Sequence, residues 1–282
     1  MCENEQITGS FKLRGAFNAV AVMPAAERAK GVVASSAGNH GLGVAWAAHH
    51  FGIAATIFVP AGAPAVKRDG IAALGATVDT SQPDYESAMT AAKAHAAARG
   101  ARYINPCLGD DVLAGQGTIA IEILEDLPDV ATVVLPVGGG GLLGGIGSYL
   151  RAAAPRVRIA GAQSVNTAAM ARSLAAGRVI DIPSIPTLAD GLAGCIDDAA
   201  FEIGRWALDD IVTLEESEIA HTIAWLSANE GIVAEGSGAA GVAAVLHGKL
   251  RTLAEPVVIV VSGGNIDPAR HARVLAEHSS GA

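Results

Sequence analysis

The sequence is poor in aromatic residues, poor in charge and nearly without cysteine. Phe, Trp and Tyr make up 4% of its 282 residues, and Asp, Glu, Lys and Arg only 17%. A core with so few rings is filled by Ala, Gly, Val, Ile and Leu, which suits helices packed closely on a sheet better than an all-β sandwich. Three cysteines (Cys2, Cys107 and Cys195) lack CxxC spacing, so neither a disulfide framework nor a zinc site is read. The eight histidines form no HExxH, and no carboxylates cluster at ligand spacing; no metal is expected. Net charge is −9, from 19 basic against 28 acidic residues, which argues against nucleic acid or an anionic membrane surface as partner. Any anion must be held by a local device. The first residues carry neither a basic region nor an apolar core, so no secretion signal is read and a cytoplasmic setting is expected.

Half of the residues, 51%, are hydrophobic, enough for a large core. Residues 131–150 are uncharged for 20 positions, a length that suits a membrane span. Pro136 and the glycines at 138–141, 144, 145 and 147 make them instead a strand, a glycine loop and a helix start. Short β-branched runs at 31–34, 55–59, 132–135, 157–160 and 257–261 alternate with helical stretches at about 40–50, 64–74, 84–99, 115–126 and 142–154, and a further helix is read at 215–228. This alternation predicts an α/β fold of βαβ units on parallel sheets. Residues 31–107 read strand-helix four times over and are expected to form a small domain. The flanking 1–30 and 108–282 then form a larger one, giving two lobes.

Ligands of open α/β sheets bind beyond the carboxyl ends of the strands. Three Gly/Ser/Asn loops fall there: Ser36-Ala37-Gly38-Asn39-His40, Gly138 to Leu142, and Ser262-Gly263-Gly264-Asn265. Glycines between a strand and a helix let backbone N–H groups approach an anion, and a phosphate is the obvious guest. The same glycines also serve a tight strand-to-helix turn. The formal GxGxxG of Gly139, Gly141 and Gly144 is followed by a strand ending at Gln163, without the acidic residue a nicotinamide ribose needs. Thr8 to Gly15 reads as a helix start with Ser10 as N-cap. Lys12 then lies in the first turn beside Arg14, either as a candidate amine nucleophile or as a solvated surface lysine. The other four lysines (Lys30, Lys67, Lys93 and Lys249) occupy helix flanks or loops. Glu235 sits in apolar company, as a helix-cap partner or a pocket acid. His49, His50 and His221 read as helix-surface or core residues rather than ligands.

Together these segments resemble the serine/threonine dehydratase branch of the fold-type II pyridoxal-phosphate enzymes, which includes serine racemases. The matching stretches are Cys2-Glu3-Asn4 with Gln6 to Ala16, Ser36 to His40, Gly115 to Thr118, Pro136 to Leu142, Ala189 to Gly191, Glu235 to Ala239 and Ser262 to Asn265. They stand in the family's order and spacing. The resemblance implies a tryptophan synthase β-like fold of two lobes, each a mostly parallel sheet flanked by helices. It implies pyridoxal 5'-phosphate as cofactor, with Lys12 as the catalytic residue that forms its Schiff base. Phe11 would pack on the ring and Asn39 would bond the ring hydroxyl. Backbone amides of Gly138, Gly139, Gly140, Gly141 and Leu142 would hold the phosphate, and Ser262 would face the ring nitrogen. Ser36, Ala37, Asn39 and His40 match the loop for the substrate carboxylate; Gly191 matches a residue near the substrate and Glu235 one near the ring. The implied activity is β-elimination on L-threonine or L-serine, giving 2-oxobutanoate or pyruvate plus ammonia, in a homodimer or homotetramer.

The sequence departs from that pattern in places. Family members carry a further N-terminal strand and helices, and Met1 falls where they often have lysine, so an inactive truncated remnant is one alternative reading. Ala37 stands where racemases of the family have a serine, which favours dehydration over racemisation. A racemase and a dehydratase of another β-hydroxy amino acid such as 3-hydroxyaspartate are the enzyme alternatives. Gln163 and Ala169 occupy the family's divalent-cation positions, where a hard cation wants carboxylates, so that site is not expected. The stretch after Asn265 is expected to be too short for a regulatory domain.

Overall fold

Val32–Ser35 is buried at all four positions, as a strand covered by helices on both faces must be. It is the first strand of a unit formed by Lys12–Gly115 in a computed structural model that describes residues 1–63, 65–183 and 185–278. That unit runs α1 (Lys12–Ala21), α2 (Ala25–Arg28), β1 (Val32–Ser35), α3 (Asn39–His50), β2 (Ala55–Phe58), α4 (Ala65–Ala73), β3 (Thr77–Asp79), α5 (Tyr85–Arg99) and β4 (Arg102–Tyr103), and ends in the first turns of α6 (Asp110–Asp126). Its four strands are all parallel, in the order β3-β2-β1-β4. Asp84 caps α5 by accepting the Ser87 N–H at 2.8 Å, and left-handed Gly100 ends it.

The unit is wider than residues 31–107 because α1 buries Ala16, Ala19 and Val20 in the same core as Val44 and Ala48 of α3 and Ile57 of β2. Helix α6 starts at Asp110 rather than 115; Asp110 and Asp111 in its first turn suit the positive end of the helix dipole. His49 and His50 are exposed on α3, where His50 stacks on Trp46. Pro64, the first residue of the helix read at 64–74, lies outside the described residues, as do the last four of 108–282.

The larger unit joins Met1–Phe11 to the chain from Gln116 onward. It holds the rest of α6, then β5 (Thr132–Pro136), α7 (Gly141–Ala153), β6 (Arg158–Ser164), α8 (Ala169–Ala176), α9 (Asp198–Ala207), β7 (Asp210–Leu214), α10 (Glu216–Trp225), α11 (Gly236–Leu246), β8 (Val257–Ile259) and α12 (Pro268–His278). The parallel order is β7-β6-β5-β8. Central β5 is buried throughout. On one face Leu143, Ile146 and Leu150 of α7 pack with Val133 and Leu135; on the other Ala239, Ala240, Ala243 and Ala244 of α11 pack with Val134. Fully burying each of the larger side chains contributes about 1.5–3 kcal/mol. No helix among the described residues is long and apolar enough to cross a membrane.

One carboxylate organises the long segment before α9. Glu216 Oε1 accepts bonds from the Ser164 hydroxyl at the end of β6 and from Thr187 Oγ1 at 2.7 Å, while Oε2 accepts the Leu188 N–H at 2.6 Å. Arg270 of α12 donates to the Thr187 carbonyl at 2.9 Å. These bonds fix the stretch leading into the short 3-10 turn Asp190–Leu192. Glu216→Gln turns an N–H donor toward one of the three donors, and bonds to a charged partner are worth about 1.5–3 kcal/mol each. The variant is therefore expected to lose about 2–3 kcal/mol in urea denaturation. An unchanged midpoint would show that the network does not hold the segment.

Candidate cofactor site

In each sheet the strand order reverses once, and ligands of α/β proteins gather beyond the strand ends at such a switch point. In the smaller unit it lies between β1 and β4, in the larger between β5 and β8. All three loops singled out in the sequence follow a switch-point strand: Ser36 to His40 after β1, Gly138 to Leu142 after β5, and Ser262 to Asn265 beyond β8.

In the smaller unit, Lys12 opens α1 and sends its amine to the other side of the switch point. Nζ donates to the Pro106 carbonyl at 2.6 Å and lies 3.9 Å from Cys107 Sγ, both just after β4. Ser10 does not cap this helix. Its backbone bridges Gly263 in the larger unit's sheet-edge pairing, and its hydroxyl is buried without a hydrogen-bond partner among the described residues. Across the switch point the Ser36 hydroxyl accepts the Gly38 N–H at 3.1 Å, and Gly38 is the N-cap of α3. Ser36, Ala37 and Asn39 are half-buried.

His40 is buried, and its Nε2 meets the Ile104 carbonyl at 2.9 Å. Its imidazole is thus committed to the core of this unit, leaving its backbone to the loop. Burial, reinforced by the Lys12 charge and only partly opposed by the Ile104 carbonyl, lowers its pKa from 6.5 to about 3. A histidine depressed in the folded state leaves the unfolded chain binding more protons between those values, so stability falls as pH drops from about 6.5 toward 3. We expect His40→Gln to flatten the acid limb of a stability-versus-pH profile over that window. A limb as steep as the parent's would refute the assignment.

In the larger unit, β5 delivers Gly138 to Gly141 into α7. Gly140 is the N-cap at φ 89°, a left-handed conformation that suits glycine, and no side chain caps the helix. A Cβ at Gly138 would lie 3.0 Å from Leu192 Cα and 3.4 Å from the Gly191 carbonyl oxygen, and one at Gly191 would lie 2.8 Å from Ser237 Oγ and 4.0 Å from Glu235 Oε1. Gly138, Gly191 and Glu235 are thus brought together. Glu235 is the N-cap residue of α11 but makes no side-chain cap bond, which removes the capping alternative. Its N–H donates to the Gly263 carbonyl at 3.1 Å, beside buried Ser262, and the Phe11 N–H donates to the Ser262 carbonyl at 3.1 Å. Sequence reasoning missed Ser237 and Gly238 as individuals, although both lie in the Glu235-to-Ala239 motif. Nothing in the sequence signalled Pro106 and Cys107.

Gln163 is a buried lacing residue: Nε2 donates to the carbonyls of Val137 at 2.9 Å and Thr167 at 3.0 Å, and Oε1 accepts the Ala171 N–H at 2.9 Å. Ala169 lies in the core. Among the described residues no group of three or more His, Cys, Asp or Glu is arranged to hold a metal.

These residues fit a phosphorylated pyridine. The first amides of α7 lack intrahelical acceptors, have no competing side-chain cap and no acidic neighbour in the first turn, which suits a phosphate. The Ser237 hydroxyl is buried without a partner among the described residues and calls for a polar guest.

The family model described as "Pyridoxal-phosphate dependent enzyme" matches residues 1–263. The L-threonine ammonia-lyase of Thermotoga maritima is 47% identical over 266 residues, which cover 94% of this chain and 66% of that protein. This chain therefore spans just under two thirds of that relative's length. The catabolic L-threonine dehydratase TdcB of Escherichia coli K12 is 39% identical over 275 residues, 96% of this chain and 84% of that one. Maize serine racemase superposes with a TM-score of 0.91 at 34% identity, covering 99% of this chain and 86% of its own. The two parallel four-stranded sheets flanked by helices are those of fold-type II. The chain belongs to the pyridoxal-phosphate dependent enzymes, in their threonine/serine dehydratase branch.

Proposed function

We propose that the protein is an ammonia-lyase acting on L-threonine, L-serine or both, giving 2-oxobutanoate or pyruvate and ammonia. The observation that carries the reading is the placement of Lys12 at one switch point and of the uncapped start of α7, with Ser262 and Glu235, at the other. Bound pyridoxal phosphate supplies an electron sink for the electron pair left at Cα. In this reading Lys12 Nζ holds the cofactor and then takes the Cα proton. Amides of Gly138 to Leu142 donate to the phosphate, Phe11 packs on the ring and Asn39 bonds the ring hydroxyl. Ser262 offers the ring nitrogen a neutral hydroxyl, which, unlike an aspartate, does not hold it protonated and so favours elimination over transamination. Ser36, Ala37, Asn39 and the His40 backbone receive the substrate carboxylate, with Gly191 beside the substrate and Glu235 beside the ring. The assembly in this reading is a homodimer or homotetramer, to be measured by light scattering. The setting is cytoplasmic, in keeping with the free thiols of Cys2, Cys107 and Cys195.

The likeness to maize serine racemase makes racemisation the reading to test against. The Ala37 methyl can donate no proton. L-serine should therefore yield pyruvate and ammonia in equal amounts with little D-serine, and Ala37→Ser should raise the D-serine fraction. Chiral chromatography beside a 2-oxo acid assay reads both. Racemisation outrunning elimination in the parent would overturn the dehydratase reading.

A further inference from the structure

Ser237 has a hydroxyl that the fold itself does not use. It is the second residue of the 11-residue helix α11 and only 3% exposed, and its Oγ has no hydrogen-bond partner among the described residues. A hydroxyl carries one donor and two acceptor sites, and native structures supply a partner to nearly every buried one. Its surroundings show where that partner comes from. Gly191 faces it, and a Cβ there would sit 2.8 Å from Oγ and 3.2 Å from Ser237 Cβ. Any side chain at 191 would take the hydroxyl's hydrogen-bonding space, which glycine spares. The same turn adjoins Gly138 of the α7 loop, and Glu235 stands two residues before Ser237.

We propose that the Ser237 hydroxyl is a further cofactor-binding group, donating a hydrogen bond to bound pyridoxal phosphate. The inference rests on the function proposed above, and its test separates the two. An unpartnered hydroxyl burdens the cofactor-free protein and helps only when the cofactor is present, so its removal acts with opposite signs in the two states.

The experiment compares parent, Ser237→Ala and Ser237→Cys, the last keeping the shape with a much weaker donor. Each is stripped of cofactor, melted with and without pyridoxal phosphate, and titrated with it by absorbance. Both variants are expected to melt no lower than the cofactor-free parent. They should bind pyridoxal phosphate about 3- to 10-fold more weakly, gain less thermal stability from it and shift its visible absorption band. Equal affinity and an unchanged band in either variant would overturn the inference alone. A cofactor-free Ser237→Ala less stable than the parent would also overturn it, since the hydroxyl would then bond within the protein. A parent that binds no pyridoxal phosphate would overturn the proposed function and this inference with it.

Discussion

Lys12→Ala is expected to lower 2-oxo acid release from L-threonine by about a thousandfold or more, since proton transfer alone is worth about 10²–10⁴ and the variant also loses the amine that holds the cofactor. The effect belongs in kcat, with little change in folding. Lys12 is half-buried, and its amine bonds the Pro106 carbonyl of a loop. Three of the other four lysines are engaged elsewhere. Lys249 pairs with Glu218 at 2.6 Å, and Lys93 lies over the Tyr103 ring at 5.8 Å. Lys30 extends along Gly100, at the far end of α5. Single-turnover kinetics and a melting curve on the same sample separate chemistry from stability. A variant that keeps a tenth of the parent's rate while melting normally would remove Lys12 from the reaction.

Gly238→Ala is expected to be among the most damaging methyl additions in the larger unit. The new Cβ would overlap the Gly263 carbonyl oxygen and lie 3.0 Å from the Gly263 nitrogen, all of it backbone with no side chain to swing aside. Relief requires moving the Ser262–Asn265 loop, which also accepts the Glu235 N–H and pairs with Ser10. Overpacking of this kind costs about 1–3 kcal/mol and sometimes more; for a chain of this size 3 kcal/mol lowers Tm by roughly 6–12 °C. Gly70→Ala in α4 is the contrast. There the methyl meets, among the described residues, Leu42 Cδ2 at an ordinary 3.5 Å, and replacing a mid-helix glycine should stabilise by about 0.5–1 kcal/mol. Differential scanning calorimetry of both variants checks the pair. Equal melting temperatures would mean that the close approach of Gly238 to Gly263 constrains nothing.

The strands were legible where burial is two-sided: the apolar runs at 31–34 and 132–135 mark β1 and β5 to within a residue. The edge strand β7, at Asp210–Leu214, carried no such signal because most of its positions are only half-buried. The short β4 escaped for a related reason: two residues are too few for any periodicity. The switch-point loops were readable because glycine and small polar residues recur after three separate strands. Relations made by tertiary contact were not. No local pattern ties Lys12 to the Pro106 carbonyl, 94 residues away, or Glu216 to Ser164 and Thr187. Ser10 shows the opposite failure: a good capping residue by type was taken by sheet-edge pairing with Gly263, a long-range contact that outweighed local preference.

The central claim is that one lysine, Lys12, carries pyridoxal phosphate. The most direct measurement is to incubate the protein with the cofactor, reduce with borohydride, digest and map the labelled peptides by mass spectrometry. The account predicts a pyridoxyl group on the peptide containing Lys12 and on no other. Label spread over Lys30, Lys67, Lys93 and Lys249, or absent from a folded sample, would contradict it.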